Sequence, residues 1–144
     1  MNKLPIGKWI LTLVALMTMW GAYYADWNET HIFNPRWPAH AKFHNAQTML
    51  LGSILGALSL WFLWGQRGNK RATLKLAAVF AAVYWLAQAG ALLFPGTALI
   101  DPEFYQPNDP PRQLYFDAAL AVVLPLAYWL ETRRLRRLAH DAPL

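Results

Sequence analysis

Four long apolar runs, separated by polar stretches of unequal length, set the pattern of this chain. A helix crossing ~30 Å of hydrocarbon at ~1.5 Å per residue needs about 20 largely apolar residues. Four segments reach that length and predict helices over residues 6–25, 38–64, 72–94 and 112–138. The second run is largely apolar from Ala46 to Trp64, and Pro38 is placed to open the helix ahead of it. Pro125 sits inside the fourth run, where it should kink the helix. The pattern predicts an all-α fold: one integral membrane four-helix bundle over residues 1–144, with two long outer loops.

Composition agrees. Apolar residues make up 56% of the 144 and charged residues 15%, against about 25% charged in soluble domains. With no cysteine, disulfide and thiolate-metal chemistry are excluded. Lys3 and Lys8 before an apolar run resemble a signal peptide, but the run is too long and no A-x-A site follows. An uncleaved anchor is expected.

Charge sets the orientation. Ten of the 13 Lys and Arg fall at the N-terminus (Lys3, Lys8), in the second connection (Arg67, Lys70, Arg71, Lys75) and in the tail (Arg133, Arg134, Arg136, Arg137). Only Arg36, Lys42 and Arg112 lie in the other two connections. Positive flanks stay cytoplasmic, so both ends should be inside, as in a bacterial inner-membrane protein. The tail ETRRLRRLAH reads as a helical extension whose arginines meet anionic headgroups at ~1 kcal/mol each. Retention and topology explain that charge without nucleic acid.

The outer connections carry the polar chemistry. The first, DWNETHIFNPRWPAHAKFHN, holds His31, His40 and His44 with Asp26 and Glu29. The third, PGTALIDPEFYQPNDPPR, holds five of the ten prolines with Asp101, Glu103 and Asp109. Proline fixes φ, so these loops should be stiff. His40 and His44, at i and i+4, share a helical face on which two imidazoles can converge on one metal or substrate. With His31 they form a candidate metal set. The plainer reading is interfacial solvation at headgroup level.

Within the spans, Asp117 lies about one turn inside the outer boundary, where a carboxylate calls for a partner. His40, His44, Arg112 and Lys42 are the candidates; a helix-start carboxylate favourable to the macrodipole is the alternative. Tyr84 and Gln88 form an i,i+4 polar pair on the third span and, facing inward, would line a cavity open to the outer cluster. Hydrogen bonding between helices would explain them equally. Gly52, Ser53, Gly56 and Ala57 offer a small-residue face for close packing within or between subunits.

The segment ADWNETHIFNPRWPAHAKFHNAQTM, residues 25–49, together with the four-span layout, resembles the signature of an uncharacterised family of small four-helix membrane proteins from fungi and bacteria. That resemblance implies no activity. The chain also resembles styrene oxide isomerase and its small four-span relatives in the histidine segment opening the second helix, the third-helix tyrosine and the long Gly/Pro loop before the fourth span. This second resemblance implies a trimer with haem b held by His44 or His40, the ferric iron acting as a Lewis acid, and Tyr84 matching the third-helix tyrosine. Asp26 and Glu29 lie outside that pattern.

The functional expectation is an isomerase-like membrane enzyme. It would act on a small apolar or lipid-like substrate at the outer face, by acid/base or metal or haem Lewis-acid chemistry. His44, His40, Asp117, Tyr84 and Gln88 are its candidate catalytic residues, and His44 is the residue expected to bind a cofactor. Isomerisation, hydration or cyclisation needs no soluble cosubstrate, and the chain has no nucleotide motif. The alternative is a non-enzymatic accessory or scaffold subunit of a membrane complex. Expected partners are the bilayer, a small hydrophobic substrate and further copies of the chain.

Overall fold

The computed structural model describes residues 4–65 and 67–141. Lys3, one of the ten cytoplasmic charges expected, lies outside the described residues. Helix α1 spans Ile6–Asp26, α2 Ala39–Leu60, α3 Lys70–Ala91 and α4 Arg112–His140. A π-helical turn, Trp61–Gly65, extends α2. All four helices are long and apolar enough to cross a membrane. This is an all-α membrane protein.

Local chemistry sets the helix ends. Pro5, Pro38 and Pro111 immediately precede α1, α2 and α4. Asn69 caps α3, its side-chain oxygen accepting from the amides of Arg71 (3.1 Å) and Ala72 (3.2 Å). That cap starts α3 two residues ahead of the apolar run, because asparagine satisfies the amides a helix start leaves open. At its other end α3 stops at Ala91 rather than 94. Pro95 disfavours helical backbone at Phe94, so residues 92–94 close with tight turns and Pro95–Gly96 turns the chain, with Gly96 at φ 78°. Helix α4 runs on through Pro125 to His140, so the arginine tail is helical as expected.

The helices pack in sequence order around a ring, α1 against α2 and α4, α3 against α2 and α4, with α1 and α3 touching across the diagonal. The core joins Leu11, Val14 and Ala15 of α1 to Met49 and Leu55 of α2, and Ala77 and Ala81 of α3 to Leu124 and Ala127 of α4. Glycines allow the closest approaches. A Cβ at Gly52 would sit 2.7 Å from the Thr18 carbonyl oxygen, and one at Gly56 2.7 Å from the Met19 Cβ. Ser53 Oγ donates to the Met19 carbonyl at 3.0 Å. The small-residue face therefore serves packing of α2 on α1 within the chain. Leu86, Leu93 and Val122, each more than 60% exposed, belong to the surface that lipid would cover.

Two ends result. At the basic end Gly7 of α1 packs against Ala127 and Glu131 of α4. At the loop end, the α1–α2 and α3–α4 connections meet over the helix tips. Arg36 pairs with Glu103 at 2.5 Å, Trp37 Nε1 donates to Asp101 at 3.1 Å, and buried Asn34 donates to Glu103 at 2.9 Å. The Asn34 side-chain oxygen also accepts from the Arg36 amide at 2.9 Å. These ties give the long loops a defined shape.

Candidate functional site

A cavity of about 540 Å³ opens at the basic end, and a larger one of about 860 Å³ lies at the loop end. The larger cavity is bounded mainly by α1, α3 and α4, with Thr48 of α2 and His31 of the first loop completing it. Its apolar wall is Leu16, Met17, Trp20, Trp85 and Phe116, and its polar lining includes Asp26, His31, Tyr84, Gln88 and Arg112. Exposed Leu16 and Trp20 line it on the α1 side, so its mouth meets the lipid-covered surface.

Asp26, His31 and Gln88 are each held from a second element. Asp26, the last residue of α1, accepts from Asn45 Nδ2 of α2 at 2.7 Å. His31 Nε2 lies 3.7 Å from the same carboxylate, while its Nδ1 contacts the Thr30 hydroxyl at 2.7 Å. The ring packs edge-on against Trp37, 5.3 Å between centroids. Asn28 shapes this turn, its side-chain oxygen accepting from the Thr30 amide at 2.8 Å. Gln88 Nε2 of α3 donates to Asp117 Oδ1 of α4 at 3.2 Å. Beneath, Trp85 Nε1 donates to the buried Thr18 hydroxyl at 2.9 Å, which donates on to the Val14 carbonyl. Tyr84 and Trp85 meet edge-on at 5.1 Å, so the cavity floor is a fixed aromatic surface.

Tyr84 and Gln88 thus face inward, on a cavity they share with His31 and Asp26. The expected meeting of His40 and His44 with Asp117 does not occur. Among the described residues, Asp117 takes Gln88 as its partner and pairs with neither histidine, Lys42 nor Arg112. His40 and His44 touch each other, Nε2 to Nε2 at 3.1 Å, and His44 Nδ1 contacts Gln47 Oε1 at 3.2 Å. Both rings are exposed, His40 stacks on Phe43, and neither lines the larger cavity. Helix phase explains this. The buried residues of α2 are Met49, Gly52, Leu55, Gly56 and Ser59. At about 100° per residue, extending that face backward reaches Asn45, leaves His44 about a quarter turn off it and carries His40 about a third of a turn away.

The three candidate metal histidines do not gather at one point. His31 sits with Asp26, apart from the His40–His44 pair. No group of three or more His, Cys, Asp or Glu side chains that could hold a metal ion forms among the described residues. His44 itself is exposed and lines neither of these two cavities. Asp26, which the sequence places among the acids of the first outer connection, is the cavity residue absent from the candidate set, because it ends a span and reads as a flank. Asn45, off the histidine stripe and directed at a neighbouring helix, was the available sign of it.

No curated protein and no solved structure matches the chain. A family profile matches residues 10–142, nearly the whole length, including most of α1, all of α2, α3 and α4, and both long loops. The chain belongs to the family of unknown function DUF6640.

Proposed function

We propose that this protein is a membrane enzyme whose loop-end cavity takes a small apolar or lipid-like molecule from the bilayer and rearranges it by acid/base chemistry. One observation carries the reading. The cavity combines a wall of leucine, methionine and aromatic side chains with Asp26, His31, Tyr84 and Gln88 at hydrogen-bonding positions. Binding pockets characteristically pair an apolar lining with a few convergent polar groups.

In this reading the Asp26 carboxylate orients His31 and the imidazole moves the proton, the acid holding the ring and the ring carrying out the transfer. The Tyr84 hydroxyl and the Gln88–Asp117 pair position the polar end of the substrate. An isomerisation carried this way consumes no soluble cosubstrate.

The test is to purify the chain in mild detergent, extract it with organic solvent and identify what it carries by mass spectrometry. Gly21 lines the cavity, and a Cβ there would meet Trp85 only at 3.7 Å. Gly21→Leu should therefore fill the space without unfolding the bundle, and should lose the bound molecule. Asp26→Asn should retain the molecule and leave it unconverted. Identical extracts from wild type and Gly21→Leu would overturn the reading. Recovery in fixed stoichiometry with other subunits, with an empty cavity, would assign an accessory role instead.

A further inference from the structure

The smaller cavity, at the basic end, has a different chemistry, and the cavity assigned to substrate shares no lining residue with it. Its charged lining is Lys8 of α1, Lys70 and Arg71 of α3, and Glu131 and Arg134 of α4, four cations to one carboxylate. Phe62, Leu63, Leu74, Leu135 and Leu138 supply an apolar wall beside them. Glu131 is only 2% exposed. Its Oε1 accepts from both Nε (3.0 Å) and Nη2 (2.9 Å) of Arg134, which fixes the guanidinium at the cavity. Its other oxygen, Oε2, is buried with no hydrogen-bond partner among the described residues. Lys8 is steadied by Trp64, its ammonium 3.5 Å from the ring centroid.

A buried acceptor without a donor is costly, and a cationic ring around it repels a ligand whose donor is an ammonium. A neutral hydroxyl carried next to a phosphate satisfies both conditions. We infer that the basic-end cavity is a binding site for an anionic phospholipid with a hydroxylated headgroup, of the phosphoglycerol type. The phosphodiester lies among Lys8, Arg71 and Arg134, a headgroup hydroxyl donates to Glu131 Oε2, and an acyl chain runs along the leucine wall. Basic pockets between membrane helices hold anionic headgroups in this manner. The inference does not rest on the enzyme reading.

Native mass spectrometry of the purified full chain, with defined lipids added back, tests it. Phosphatidylglycerol should be retained about tenfold better than phosphatidylcholine. It should also exceed phosphatidylethanol, which has the same charge and no headgroup hydroxyl. Arg71→Gln, at an exposed position, should weaken both anionic lipids alike. Glu131→Gln should bring phosphatidylglycerol down to the level of phosphatidylethanol. Should that buried substitution prevent folding, the comparison of the two anionic lipids on wild type decides alone. Equal retention of phosphatidylglycerol and phosphatidylcholine, or of the two anionic lipids by wild type, would overturn the proposal. So would displacement by millimolar glycerophosphoglycerol, which would assign the cavity to a soluble phosphate compound.

Discussion

Asn45 decides more than its size suggests. Its amide nitrogen is the donor that joins α2 to the Asp26 carboxylate, 2.7 Å away. A hydrogen bond to a charged partner contributes about 1.5–3 kcal/mol. Asn45→Ala should therefore lower thermal stability in detergent by an amount in that range and loosen Asp26 from its position beside His31. His31 and His44 make a sharper comparison. His31→Ala should abolish conversion of the bound molecule, because the ring sits on the Asp26 carboxylate at the cavity. His44→Ala, on an exposed stripe where the ring contacts His40, Phe43 and Gln47, should leave cavity occupancy within about twofold, since an exposed contact contributes little. The measurement for both is the extractable molecule and its conversion. Equal losses would restore the second-helix histidines to the chemistry.

At the scale of the helix, the sequence made the spans legible and the facing of their ends obscure. Apolar length alone located four helices, and Pro38 marked the start of one of them. The first two turns of α2 are different: Lys42, His44, Asn45 and Gln47 put polar groups on every side. Periodicity has nothing to distinguish there. What orients α2 is packing further along, where Gly52 and Gly56 let the backbone of α1 come close. Gly56→Leu should then unfold or splay the α1–α2 pair, since overpacking costs about 1–3 kcal/mol even where neighbours give way. Gly90, with nothing within 4 Å of a built Cβ, is the control. Gly90→Ala in α3 should be neutral or stabilise by up to about 1 kcal/mol. Melting of the two variants in the same detergent separates packing from propensity.

For the molecule as a whole, the ten-to-three division of Lys and Arg predicts that the basic end faces the cytoplasm. The chain has no cysteine, so single cysteines at Gly68 and Asn108 report without background. They should react with an impermeant thiol reagent from opposite sides of the membrane; reaction of both from one side defeats the orientation. The loop end carries a consequence for inheritance. Asn34, 1% exposed, binds the Arg36 amide with its oxygen and Glu103 of the distant second loop with its nitrogen. Arg36 and Trp37 reach the same second loop. The two connections, separated by two helices in the chain, therefore behave as one heritable module. A chimera that takes the first loop from a relative and keeps the native second loop should misfold at that end, while exchange of both together should restore it.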